Sequence, residues 1–118
     1  MMWFSIFTGG GIGSLLRYLL SARVGNHWGI MTVNLLGAFL IGAVYGLCLQ
    51  RLNLSSETKA FIITGMLGGF TTFSTFMLDF GLLMNQQKYA EACLYLAGSV
   101  LLGILFLYLG MLSVRIWE

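Results

Sequence analysis

The chain has no proline, a single histidine, two cysteines and few charges, with six basic and four acidic residues making up 8% of its 118 positions. Each scarcity excludes something. Soluble domains carry about 25% charged residues, so the composition excludes a water-soluble monomer. A net charge of +2, spread without a basic run, excludes a nucleic-acid surface or a polybasic lipid patch. Any histidine-based metal centre or Ser-His-Asp triad within one subunit would rest on His27 alone. That residue stands beside Trp28 between two apolar runs, where the membrane interface is expected. Cys48 and Cys93 lack CxxC or Cys/His spacing and read as small hydrophobes. No nucleophile-base pair is visible in the apolar runs, and no enzymatic role is expected.

What the sequence has in abundance is apolar surface: 58% hydrophobic residues and a mean hydropathy of +0.90. Crossing about 30 Å of hydrocarbon takes about 20 mostly apolar residues in a helix. Four runs meet that length, at 2–22, 29–49, 60–84 and 92–114, joined by short linkers, which predicts an all-α membrane protein forming one transmembrane domain. The apolar stretch 1–16 that opens the chain has no basic n-region and ends at Arg17 rather than at a small-residue cleavage site, so the first segment is expected to stay in the mature protein. Trp3, Trp28 and Trp117 fall near run ends, where amphipathic rings favour the headgroup region. The 16 glycines include the small-xxx-small pairs Gly9/Gly13, Gly42/Gly46 and Gly65/Gly69, which let helix backbones approach closely in lipid.

Four spans put Arg51, Lys59 and Arg115 on one side of the membrane and Arg17, Arg23 and Lys88 on the other. Because cytoplasmic loops normally carry the excess of Lys and Arg, this balance favours neither orientation. A chain inserted both ways can form an antiparallel dimer about an axis in the membrane plane, and four helices are few to enclose a pathway alone.

The third run carries the chemistry. From Thr64 it reads TGMLGGFTTFSTFMLDF, which sets glycines and hydroxyls in the middle of a span. One reading is a helix break after Gly68-Gly69, tolerated at membrane depth only where backbone is buried or lines a cavity. The other is a kinked packing helix with hydroxyls bonded back to their own backbone. Phe70, Phe73 and Phe76 recur every third residue, among the hydroxyls of Thr71, Thr72, Ser74 and Thr75. Such a stripe is more often lipid-facing or core, but an aromatic ring edge is positive and can meet a small anion without a fixed charge. Asn34 is the lone amide well inside the second run. It either bonds a neighbouring helix or faces a wet path. Tyr95 and Ser99 are four apart on the fourth run, so their hydroxyls share a face; a tyrosine near a helix end is also an ordinary interfacial anchor.

Three motifs together resemble a known family: Gly9-Gly10-Gly11-Ile12-Gly13 leading to Leu16-Arg17-Tyr18; Thr32-Val33-Asn34 with Gly37; and Gly68-Gly69-Phe70-Thr71-Thr72-Phe73-Ser74-Thr75-Phe76. This set is similar to the CrcB/Fluc fluoride channels along essentially the whole chain, and the third motif is the specific one. The resemblance implies a third helix broken at mid-membrane and an antiparallel dual-topology homodimer in the inner membrane. It implies passive export of fluoride through two pathways and a structural sodium ion at the dimer centre. Carried over by position, the backbone carbonyls of Gly68 and Thr71 would hold sodium. Phe73 and Phe76 would form the phenylalanine box, and Asn34 the pore amide. Ser74, Thr75, Tyr95 and Ser99 would form a polar track, and Arg17 would supply a positive vestibule. No pore role is expected of Asp79, whose charge would repel an anion. The competing reading is a small multidrug-type proton-coupled exporter. Such a protein needs an intramembrane carboxylate, usually in its first span, and residues 1–22 contain none.

Overall fold

A computed structural model of the chain describes residues 1–50 and 53–115, and within these the side chains of 49, 50 and 115 are left undescribed. Arg51, Trp117 and the Arg115 side chain, to which the sequence assigns roles at the membrane edge, lie outside the described residues. The described residues form helices α1 (Met2–Val24), α2 (Asn26–Gln50), α3 (Ser56–Lys59), a π-helical stretch (Ala60–Leu67), α4 (Gly68–Phe70), α5 (Ser74–Asn85) and α6 (Tyr89–Arg115). No strand occurs among them.

Local chemistry sets each boundary. Gly25 has φ +82, a conformation open to glycine and strained for other residues, and its N–H closes α1 on the Ser21 carbonyl at 2.8 Å. Ser55 caps α3, its Oγ accepting the Thr58 N–H at 3.2 Å, which satisfies one of the orphan amides of a helix start. At the end of α5, Lys88 N–H bonds the Leu83 carbonyl and Gln87 N–H bonds the Met84 carbonyl, with Gln87 at φ 62. That is the Schellman pattern of paired bonds around a left-handed residue.

Packing follows the glycines. A Cβ on Gly9 would strike the Phe61 carbonyl, and one on Gly13 would strike the Met66 carbonyl, so α1 lies backbone against backbone on the π-helical stretch. The same closeness holds between α2 and α6, where Gly42 faces the Leu107 carbonyl and Gly110 faces the Phe39 carbonyl. The small-xxx-small pairs thus act as packing surfaces where lipid supplies no hydrophobic drive between helices. A small core of Phe76, Leu83, Ala92 and Tyr95 joins α5 to α6, with Trp28 of α2 and Met77 and Phe80 of α5 against it.

Asn26–Cys48, Ser56–Asn85 and Tyr89–Val114 are long and apolar enough to cross a membrane. α1 matches them in length with 23 residues but is less apolar, because it contains four glycines, Arg17 and Arg23. The long dimension of 49 Å spans the roughly 40–45 Å of a bilayer with its headgroups. Outward-facing Trp3, Phe7, Leu101 and Leu105 are among many large apolar side chains left exposed. Three helices able to span, beneath an apolar exterior, make this a multi-pass membrane protein.

Candidate functional site

The third apolar run loses helical backbone at 71–73. Thr71 is extended, at φ −92 and ψ 157, and Phe73, the residue before α5, returns to the helical region. The cause is a competition for amides. In an unbroken helix the Thr72 N–H would bond the Gly68 carbonyl; here it donates to Asn34 Oδ1 at 2.9 Å. The Asn34 Nδ2 in turn donates to the Thr72 carbonyl at 3.0 Å. One side-chain amide therefore replaces both helical partners of Thr72, at a separation of 38 residues in the chain. The Thr75 N–H, which a helix would give to the Thr71 carbonyl, instead bonds Thr72 Oγ1 at 3.3 Å. The carbonyls of Gly68 and Thr71 are thereby deprived of their usual donors, and both residues line one cleft.

That cleft has a volume of about 370 Å³ and is lined by Asn34, Gly37, Gly68, Thr71, Phe73 and Phe76, among others. Gly37, one turn after Asn34, lets the chain pass: a Cβ there would strike the Thr71 Cγ2. The two phenylalanines meet edge to face, with ring centroids 6.2 Å apart, but their surroundings differ. Phe76 is buried at 6% exposure and Phe73 stands out at 72%.

Tyr95 is wholly buried and touches Phe76 at a centroid distance of 5.1 Å. Its hydroxyl donates to Asp79 Oδ2 at 3.2 Å. Asp79 stands three residues after Phe76, so both face Tyr95 from one side of α5. Ser99 lies one turn further along α6, its Oγ buried and without a hydrogen-bond partner among the described residues. Ser74, which is exposed, and Thr75, partly buried, open α5, and neither lines the cleft. Arg17 is partly buried on α1, outside the cleft lining.

The sites expected from sequence thus divide. Asn34, Gly68, Thr71, Phe73 and Phe76 come together, and Tyr95 joins them through Phe76. The residue that sequence reasoning overlooked is Asp79 as partner of the Tyr95 hydroxyl. The i, i+3 spacing of Phe76 and Asp79 was the available signal, because it places both on one helical face. Removing the hydroxyl with Tyr95→Phe strands a carboxylate and should destabilise the fold by about 1–3 kcal/mol. Asp79→Asn keeps a carbonyl acceptor and should cost less than Tyr95→Phe; thermal unfolding of the detergent-solubilised protein compares the two.

Comparison with known proteins converges on one group. The family model described as CrcB-like protein, Camphor Resistance (CrcB), matches residues 4–111. The chain is 41% identical over 112 residues to the fluoride-specific ion channel FluC of Chlorobium chlorochromatii, covering 91% of this chain and 87% of that protein. Proteins of the same name from Agrobacterium fabrum, 40% identical over 112 residues and 90% of each chain, and from Aquifex aeolicus, 40% identical over 113 residues and 91% of each, are similarly close.

Proposed function

The chain belongs to the CrcB family, and from that premise we propose that it is a fluoride-specific ion channel that passively exports fluoride from the cytoplasm. It is a channel and not an enzyme. The observation that carries the reading is the site itself: the family relationship extends over the helix interruption, and that interruption is lined by an amide, hydroxyls and two phenylalanines. Fluoride is small and strongly hydrated, so a path for it must replace water with hydrogen-bond donors. Asn34 retains a second Nδ2 hydrogen beyond the one given to Thr72. The positive ring edges of Phe73 and Phe76 favour an anion without trapping it on a fixed charge, and Ser74, Thr75 and Ser99 add hydroxyl donors along α5 and α6, while Tyr95, whose hydroxyl is given to Asp79, borders the track through its ring.

The working unit in this reading is an antiparallel homodimer in the inner membrane with the interruption at mid-membrane. The exposure of Phe73, an apolar ring beside the site, supports a second copy covering it, and the even split of basic residues supports insertion in both orientations. Two copies would bring together two pairs of carbonyls from Gly68 and Thr71. Their loss of helical donors supports a sodium site, since a hard cation takes oxygen ligands. Sodium bound there would supply positive charge that offsets part of the cost of bringing an anion into low dielectric.

Fluoride efflux from liposomes containing the purified protein, read with an electrode beside a chloride-loaded control, tests the proposal. Fast fluoride release without chloride release is expected, and it should persist in Asp79→Asn. Absence of release from folded dimers would discard the reading, and proton-coupled export of organic cations would then be assayed. Within the same assay, Phe73→Ile or Phe76→Ile should slow fluoride release by about tenfold while dimers still assemble. Unchanged release in both would remove the phenylalanines from the path.

A further inference from the structure

Asn34, Thr71 and Thr72 are the polar side chains that line the cleft at the helix interruption; glycines, aliphatic residues and the two phenylalanines make up the rest. An ion that enters without its water depends on hydrogen-bond donors, so the deciding property is which of the three still holds an uncommitted hydrogen. Thr71 does not, because its hydroxyl donates to the Leu67 carbonyl at 3.1 Å. Thr8 and Thr32 spend theirs in the same way, on the Phe4 and Trp28 carbonyls one turn earlier in α1 and α2. This is the ordinary fate of a hydroxyl in a helix, where the carbonyl four residues back is within reach.

Thr72 departs from that pattern. Its N–H and its carbonyl are both taken by Asn34, and its Oγ1 accepts the Thr75 N–H at 3.3 Å. Back-bonding would need the Gly68 carbonyl, and the extended backbone at Thr71 carries the hydroxyl away from it. The Thr72 hydroxyl hydrogen is left without an acceptor among the described residues. Two features prepare it for an anion. Asn34 grips the main chain of Thr72 on both sides, and a β-branched side chain is stiff about χ1, so the oxygen is held in place. Accepting the Thr75 N–H also polarises the O–H bond, since hydrogen bonds in a chain strengthen one another. The spare Nδ2 hydrogen of Asn34 belongs to the amide already bonded to Thr72. The two uncommitted side-chain donors of the cleft therefore stand beside one another, one from α2 and one from the third run.

We propose that the Thr72 hydroxyl binds fluoride in the cleft together with the Asn34 amide, and that this pair of neutral donors sets the affinity of the path for a small, strongly accepting anion. The inference rests on the channel reading and deepens it. The family resemblance assigns the Thr72 side chain no role, and Ser74 and Thr75, to which it gives hydroxyl roles, do not line this cleft.

The test reads affinity apart from folding. Initial fluoride release from liposomes is measured over a range of internal fluoride concentrations, which gives each variant a half-saturating concentration and a maximal rate. Thr72→Ser keeps the hydroxyl and should follow the parent's curve. Thr72→Val removes it at nearly constant shape and should raise the half-saturating concentration about tenfold, the equivalent of one hydrogen bond to a charged partner at the low end of its range. Valine also leaves the Thr75 N–H without its acceptor. A purely structural role would show as a lower unfolding temperature in detergent and fewer conducting dimers, which lowers the maximal rate and leaves the half-saturating concentration in place. Thr72→Cys is read against Thr72→Ser, because a thiol is a weak donor on a side chain of the same shape; it should shift the curve in the same direction as valine, and it decides alone where valine does not accumulate as dimers. A half-saturating concentration unchanged in Thr72→Val relative to the parent, or in Thr72→Cys relative to Thr72→Ser, overturns the role of the Thr72 hydroxyl and leaves the channel reading intact. No fluoride release from the parent protein overturns the channel reading itself.

Discussion

Replacing Asn34 with leucine is expected to abolish fluoride conduction, with efflux at least about a hundredfold below that of the parent protein. The side chain has nearly the same size and fits the same space between α2 and the third run, so the effect isolates the amide. Asn34 accepts the Thr72 N–H and donates to the Thr72 carbonyl. Leucine leaves both main-chain groups without partners, and a stranded polar group costs about 1–3 kcal/mol. The helix has a ready way to recover part of that cost: the Thr72 N–H returns to the Gly68 carbonyl and the interruption heals. A healed helix removes the cleft lining at Thr71 and withdraws the Gly68 carbonyl from any ion. Two orphaned groups at the lower end of that range amount to about 2–3 kcal/mol, which is near two orders of magnitude in the population of the interrupted form. The companion Asn34→Asp retains the acceptor for the Thr72 N–H, loses the donor to its carbonyl and places a negative charge on the path. It should conduct poorly while keeping the interruption. Hydrogen exchange at the Thr72 amide separates the two variants, because a healed helix changes its acceptor from a side chain to a main-chain carbonyl. Efflux in Asn34→Leu comparable to that of the parent would show that the path does not depend on this amide.

Much of this arrangement was legible in the residues, and the reason lies in the solvent. A membrane forces backbone polar groups to be satisfied internally, so long apolar runs read as helices, and the helices stand where the runs do. The interruption was legible as one of two alternatives, because glycines and hydroxyls in mid-run suit either a break or a kink. The local bonds carry a feature of each: Thr71 Oγ1 bonds back to the Leu67 carbonyl at 3.1 Å, and the Thr72 N–H bonds Asn34. Asn34 itself was left between bonding a neighbour and facing a path, and it bonds the neighbour while lining the cleft. What the sequence could not carry were contacts fixed by helix rotation. The hydrogen bond of Tyr95 to Asp79 and the approach of His27 to Tyr95 depend on how α2, α5 and α6 turn about their axes, which spacing along one helix does not determine. The turn at Gln87 was hidden for a different reason, since glutamine carries no preference for the left-handed conformation it adopts there. The π-helical winding of Ala60–Leu67 also left no mark in the residue pattern; it coincides with the stretch pressed against Gly9 and Gly13, where backbone contact rather than side-chain preference governs geometry.

The same contact yields the second large effect. Gly13→Val should prevent accumulation of folded protein, whereas Gly11→Ala, two residues away, should leave assembly unchanged and stabilise α1 by about 0.5–1 kcal/mol. In the sequence the run Gly9-Gly10-Gly11-Ile12-Gly13 offers no way to rank its glycines, yet their surroundings differ sharply. A Cβ on Gly11 meets nothing within 4 Å, and an alanine there gains the helix preference that glycine lacks. A Cβ on Gly13 meets the Met66 carbonyl oxygen, with the Met66 carbon and the Phe70 amide nitrogen each at 2.9 Å. All three are backbone atoms, so no rotamer change relieves the overlap, and α1 must move away from the third run as a unit. Overpacking in a tight core costs about 1–3 kcal/mol where side chains can yield; here the displacement also opens the contacts at Gly9, Gly65 and Gly69 along the same seam. The carbonyls of Gly68 and Thr71 sit at the end of that seam, so the variant should lose the geometry of the cleft before it loses its helices. Size-exclusion profiles and thermal unfolding in detergent distinguish the outcomes. If Gly13→Val remained folded and conducting, close approach of α1 would not set the cleft, and the glycine run would be chain flexibility rather than a packing surface. Equal damage from Gly11→Ala would point the same way, since only a requirement for backbone freedom makes those two positions equivalent.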